Sequence, residues 1–415
     1  MLKSNTLKII VALLVLSVLA AVSYRLPSIR ERLSWRVDVA FTYLRGIIAP
    51  AGELPTALPE TVLPPPAVAV TRYPTASPTA APRETVSPTP LPPTPTPLPP
   101  AISLPSPAYE KQAPNNCGPA TLAMVLRAYG WEGDQRDISD LIKPRDEDRN
   151  VNVEELVYYV RNRVGWLNIV YRVGGNLELL KTFLASGLPV MIEEGMTLEE
   201  AYWPNDDHWA GHYLLLTAYD DPSQTFTAQD SFRGPDQSVP YAAVQKNWQA
   251  FNYVYILIYR ADQAEMVRTL LGDDWDADAN RQLALDLAIS EAEAAPDNAF
   301  ARFNVGSNLV YFERYAEAAR AFDAARSLGL PQRMLRYQFS PFFAYFFSGR
   351  NADLLALTEY ALKITPDSEE TLLWRGWGLY RDGKKAEAVE LFDKALRANP
   401  NYEDAKYALD FVKNN

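Results

Sequence analysis

Apolar residues fall into four regimes along the chain, and each predicts a different kind of element. Residues 9–22 (IIVALLVLSVLAAV) are an unbroken apolar run behind Lys3 and Lys8. That is shorter than the roughly 20 residues of a spanning helix. Extension from Leu7 to Leu26 reaches the length by admitting Lys8 and Arg25 at the ends, where long cations can snorkel. The favoured reading is a retained anchor. The alternative is a cleaved signal segment, with Ala21-Val22-Ser23 supplying the small residues of a cleavage site. Residues 1–26 are therefore a membrane anchor or signal segment, and 27–49 a basic juxtamembrane segment. Over 50–107 the pattern disappears into Pro, Thr, Ser and Ala with few large apolar residues. Such a stretch cannot bury a core and predicts a disordered linker of polyproline II character, or a Pro-rich ligand for an SH3-like partner.

Pattern returns at residue 108. Cys117–Tyr129 carries apolar residues at helical spacing with Pro119 in the first turn, and Val153–Val160 and Leu177–Leu184 predict two further short helices. Strand-like runs follow at Pro189–Ile192, Tyr213–Tyr219, Thr225–Ala228 and Tyr253–Tyr259. Helices first and strands afterwards predict an α+β domain over 108–262, not an alternating parallel sheet.

From 263 to 415 the period is helical and the segment repeats itself. Pro296, Pro331, Pro366 and Pro400 recur at 35, 35 and 34 residues, and Gly306, Ala318, Phe322 and Ala325 reappear 70 residues later as Gly376, Ala388, Phe392 and Ala395. Small residues mark where two helices cross closely, Phe fills between them, and Pro ends the second helix. The pattern resembles the tetratricopeptide repeat, which implies an all-α solenoid that binds a protein partner. The middle copy is degenerate, with Phe342 and Thr358 where Gly and an aromatic belong. A connecting helix pair is expected over 263–295 and a capping helix over 401–415.

Charge narrows the partners. The formal net charge is −11, which argues against nucleic acid as a partner, since that binding needs a basic surface to displace counterions. Residues 1–50 hold seven Lys/Arg against two acids, a net of +5, which leaves −16 for the rest. A basic, apolar tip on an acidic body points to a membrane at the tip. One observation runs the other way: Arg25, Arg30, Arg32 and Arg36 follow the apolar run, and the positive-inside rule places that flank in the cytoplasm.

The chain has one cysteine and two histidines, so thiol and imidazole chemistry have very few candidates. A single cysteine excludes an intrachain disulfide and a Cys-based metal cluster. Cys117 follows the loop Gln112-Ala113-Pro114-Asn115-Asn116 and opens an amphipathic helix, whose unpaired N–H groups favour a thiolate. Gly118 would let a substrate backbone approach, and Gln112 could lend its amide N–H to an oxyanion beside the Cys117 N–H. His212 stands at the mouth of the apolar strand GHYLLLTAY, and Asp230 ends the next strand, TFTAQD. His208, in Asn205-Asp206-Asp207-His208-Trp209, reads as a solvated loop residue near the cleft. Asp206, Asp207 and His208 are too closely spaced for a zinc site. Tyr202, Trp203 and Trp209 line the cleft or pack the loop.

Together, QAPNNCGPATLAM at 112–124, GHYLLLTAYDD at 211–221 and Gln229-Asp230-Ser231 resemble the C39-like peptidase family. The resemblance covers about 155 residues, Ala108 to Asp262. It implies a papain-like fold, with Cys117 as nucleophile, His212 as base, Asp230 as orienting carboxylate and Gln112 as oxyanion donor. Ser231 stands where the family often has Pro, and no transporter segment accompanies the domain, so cleavage after double-glycine leaders is not implied. The expectation is a single-pass, membrane-anchored extracytoplasmic cysteine peptidase, or a secreted one if the leader is cleaved. Its substrate would be a peptide or protein, its repeat domain would take a protein partner, and it would need no cofactor or metal. The alternatives are an inactive peptide-binding adaptor and an acyl-transferring hydrolase on the same fold.

Overall fold

The computed structural model describes residues 12, 14–15, 27–50, 52–58, 97–145 and 151–414. Almost all of the apolar run at 9–22 and most of the linker lie outside the described residues. Among the described residues, no helix is long and apolar enough to cross a membrane. The basic segment after the run forms helix α1 (Pro27–Ile48).

Strands β1 (Ala101–Ser103), β2 (Leu167–Arg172), β3 (Val190–Thr197), β4 (Trp209–Asp220), β5 (Thr225–Asp230), β6 (Gly234–Pro240) and β7 (Tyr255–Arg260) form one sheet. Its order is β2-β7-β3-β4-β5-β6, with β1 pairing along β4, and every pairing is antiparallel. Helices α2 (Cys117–Ala128), α3 (Gln135–Ile142) and α4 (Val153–Arg163) pack on one face, α5 (Leu177–Ala185) and α6 (Tyr241–Trp248) on the other. Met191, Tyr213, Leu215 and Ile256 point into the first core, and Val190, Ile192, Leu214 and Leu216 into the second. Coverage of both faces explains why β3, β4 and β7 read as near-continuous apolar runs instead of alternating.

Three expected helices and four expected strands are present with ends moved by a few residues, whereas α3, α6, β2 and β6 are additions. Two of these have a visible cause: β2 is only partly buried, and β6 is a polar edge strand with Pro235 near its start and Pro240 at its end. Residues 101–103, inside the expected linker, are an edge strand instead. The Tyr219 hydroxyl donates to the Pro99 carbonyl at 2.7 Å, which ties this stretch to β4.

The C-terminal region is helical: α7 (Ala264–Leu271), α8 (Ala277–Ala294), α9 (Ala299–Tyr311), α10 (Tyr315–Leu328), the short α11 (Met334–Tyr337), α12 (Ser340–Phe347), α13 (Asn351–Ile364), α14 (Glu369–Arg381), α15 (Lys385–Ala398) and α16 (Glu403–Asn414). The repeat logic is visible at the crossings. A Cβ on Gly306 would sit 2.6 Å from the Phe322 ring, and one on Gly376 2.4 Å from the Phe392 ring. Glycine is required at both positions by close approach, not by backbone conformation.

Sheet and repeats share cores. Phe300 and Tyr337 pack against the core that holds α2, and Trp203 is buried in the core of the first repeats. Asn252 and Asn308 hydrogen-bond at 2.8 Å, and Asn304 Nδ2 donates to the Gln249 carbonyl at 2.8 Å. Just after α1, the extended stretch 52–58 lies on the repeats. Arg326 Nε donates to the Pro55 carbonyl at 2.9 Å, and the Leu58 N–H donates to Asp353 Oδ1 at 3.1 Å.

Candidate active site

The loop before α2 is held from outside itself. Gln135 Oε1 accepts from the Ala113 N–H at 2.7 Å and from Asn116 Nδ2 at 2.8 Å. Lys143 Nζ donates to the Asn115 carbonyl at 2.8 Å, and Asn115 takes a positive φ of 56° that Asn tolerates well. These bonds deliver Cys117 as the first residue of α2, partly buried, with its sulfur against β4.

His212 is placed by β4. The register that pairs Leu215 with Gln229 puts Asp230 opposite Leu214, on the face His212 shares. His212 Nε2 lies 2.8 Å from Asp230 Oδ1, and both side chains are about 2% exposed. The same Asp230 oxygen accepts from the Phe232 and Arg233 N–H groups at 2.8 and 3.0 Å, so the carboxylate is itself fixed. The Cys117 thiol lies beside the His212 ring and the Tyr213 backbone N–H, near enough for both to act on its charge.

The electrostatics follow from these contacts. Burial pushes the Cys117 thiol up, but the His212 hydrogen bond and charge, the Tyr213 N–H and the Lys143 charge together hold it below its usual value. Burial works to lower the His212 pKa, yet hydrogen bonds to Asp230 and Cys117 prevail and raise it to about 10. Burial raises the Asp230 carboxyl, and its His212 bond with the two backbone donors brings it below the usual range. The three shifts run in one direction, toward a thiolate beside an imidazolium beside a carboxylate.

Gln112 is tied to the strand end: its N–H donates to the Ser231 carbonyl at 2.9 Å, and its Oε1 accepts from Ser231 Oγ at 2.9 Å. Gly118 faces protein: a Cβ there would lie 3.3 Å from both the Tyr213 ring and Val151, so its missing side chain serves packing. His208 is a half-buried loop residue, and its position is fixed by hydrogen bonds. Its Nδ1 is 3.0 Å from the Leu198 carbonyl, its N–H donates to Asp206 Oδ1, and its φ is 61°. Asp206 and Asp207 pair with Arg333. Trp203 is buried, and Trp209 stacks on Phe251 at 5.9 Å.

Four further residues adjoin the site. Glu193 and Glu194, side by side on β3, pair with Tyr213 and His212. Burial raises the Glu193 carboxyl well above its usual range and the Glu194 carboxyl to about 7. Lys143 supports the loop and its charge favours the thiolate. Tyr337, from α11, lines the cavity at Cys117. The two acids carry a sequence signal, since PVMIEEGM interrupts an apolar strand with charge. Tyr337 carries none, because its position depends on how the repeats dock.

Residues 106–256 match the model of the Peptidase_C39 like family, and residues 369–402 match the tetratricopeptide repeat. The cytochrome c-type biogenesis protein CycH of Pseudomonas aeruginosa is 31% identical over 120 residues, 28% of this chain and 29% of that protein. The chain therefore spans less than a third of that relative's length. Among solved structures, a C39-like peptidase from Bacillus anthracis is 16% identical, with a TM-score of 0.31, over 39% of this chain and 98% of that one. The tetratricopeptide protein YrrB is 18% identical, with a TM-score of 0.29, over 42% of this chain and 81% of that one. The chain thus joins a region that matches the Peptidase_C39 like family to a region that matches the tetratricopeptide repeat.

Proposed function

We propose that the chain is a thiol peptidase acting on a peptide or protein substrate, with Cys117 as nucleophile, His212 as its proton partner and Asp230 as the carboxylate that orients the ring. The observation that carries the reading is the buried 2.8 Å contact between His212 Nε2 and Asp230, which leaves Nδ1 for the thiol. The thiolate attacks the scissile carbonyl carbon, and an S–C bond forms as the carbonyl electrons move to oxygen. The Cys117 N–H faces that oxyanion as the first free donor of α2, and Gln112 joins it through Nε2, since Ser231 occupies only its amide oxygen. The imidazolium gives its proton to the leaving nitrogen, the C–N bond breaks, and a thioester remains. Water then attacks the thioester, imidazole takes the water proton, and the thiolate leaves.

In this reading the apolar run at 9–22 holds the chain at the membrane with its catalytic and repeat regions outside the cytoplasm, and the repeats take a protein partner. The test uses an electrophilic peptide probe read by mass spectrometry, together with peptide turnover. Wild type is labelled at Cys117 and Cys117→Ala is not. His212→Ala loses about 10²–10⁴ in rate, while His208→Ala keeps its turnover number. A dead His208→Ala beside a near-normal His212→Ala would sink the assignment.

A further inference from the structure

Tyr337 lies 220 residues from Cys117 in sequence, in the repeat region, yet its ring lines one small cavity with Asn115, Cys117, Gly118 and Gly211. The cavity measures about 10 Å³, roughly what a single water needs. The ring packs against β4 one residue before His212, beside Phe251: a Cβ on Gly211 would stand 2.7 Å from the Phe251 ring and 3.1 and 3.2 Å from two Tyr337 ring carbons. The wall is rigidly held. Tyr337 meets Trp209 edge-on at 5.8 Å and Phe251 at 6.1 Å. On either side in sequence, Arg333 Nη1 donates to the Trp209 carbonyl at 2.8 Å and Gln338 Nε2 to the Ala250 carbonyl at 2.7 Å.

We propose that Tyr337 is a specificity-determining residue of the Cys117 site: its ring forms the wall over Gly211 and limits the size of the substrate side chain that can seat beside the thiol. The repeat region therefore completes the cleft as well as offering a surface to partners. This rests on the thiol-peptidase reading for its chemistry, but size selection at the thiol can be read without turnover.

The experiment compares two peptidyl chloromethyl ketones that differ only in the residue carrying the reactive group, Ala or Phe. Their rates of alkylating Cys117 in the full chain are followed by intact-protein mass spectrometry, with turnover of the matching peptides measured alongside. The expected result is faster alkylation by the Ala reagent in wild type. In Tyr337→Ala the Ala-to-Phe rate ratio falls about tenfold or more. Tyr337→Phe keeps the wild-type ratio, because the ring and not its hydroxyl forms the wall. Tyr337→Leu, which keeps apolar contact with Trp209, carries the test if Tyr337→Ala does not fold. An unchanged ratio in the shortened variants, with both rates lowered equally, assigns Tyr337 a purely structural role and overturns the inference while the peptidase reading stands. A shifted ratio without turnover in any form keeps Tyr337 as the wall and removes the peptidase reading. Failure of both reagents to label Cys117 overturns both.

Discussion

Arg333 is the residue whose loss should most sharply loosen the repeats from the sheet. Its guanidinium, 1% exposed, forms an ion pair with Asp206, whose side chain is fully buried. It also donates to the Trp209 carbonyl at 2.8 Å and stacks 4.1 Å over the Trp203 ring. Arg333→Met keeps the apolar stem and removes the charge, leaving Asp206 as an uncompensated buried carboxylate. Breaking a buried pair on one side costs about 3–5 kcal/mol. Two backbone donors remain to Asp206, from Tyr202 at 2.8 Å and His208 at 3.0 Å, so the low end, about 3 kcal/mol, is expected. Denaturant unfolding of the single variant, Asp206→Asn and the double variant measures this. Once Arg333 is gone, Asp206→Asn removes the stranded charge, so the double variant should be more stable than the sum of the singles predicts by about 1–3 kcal/mol. A single-variant cost below about 1 kcal/mol, or additive singles, would mean that Arg333 and Asp206 do not depend on each other.

Gly376→Ala gains about 1 kcal/mol of helix propensity. It also drives a methyl to 2.4 Å from the fully buried Phe392 ring, so net destabilisation of about 1–2 kcal/mol should appear in thermal unfolding, and a stabilised variant would contradict the crossing. Glu194 has a folded pKa raised from 4.5 to about 7, so its contribution is fully present below pH 4.5 and is lost as pH rises through 7. Glu194→Gln should therefore gain on wild type by about 3 kcal/mol between pH 4.5 and 8 in denaturant titrations, and parallel pH curves would count against a buried neutral carboxyl.

Much of the site was legible because strand and helix ends carry its chemistry. A cysteine opening an amphipathic helix, a histidine entering an apolar strand and an aspartate closing the next are local patterns, and the hairpin between β4 and β5 makes the last two meet. What was not legible depends on docking. Tyr337 reaches the thiol only because Arg333 and Gln338 fix the repeats against β4 and the turn before β7. His208 looked solvated because its neighbours are acidic, yet those acids are occupied by Arg333 and by backbone N–H groups. Residues 101–103 looked like linker because Pro-rich composition hides a three-residue edge strand.

The ion pair between Cys117 and His212 can be read from the rate of iodoacetamide alkylation against pH. A Cys117 titration below the free-thiol value of about 8.5 is expected, with a second inflection near 10, where His212 loses its proton. In His212→Ala the thiol keeps its burial and loses its largest opposing contribution, so its titration should move up past the free value and the second inflection should vanish. A single titration near 8.5 in wild type, unchanged in His212→Ala, would contradict the account.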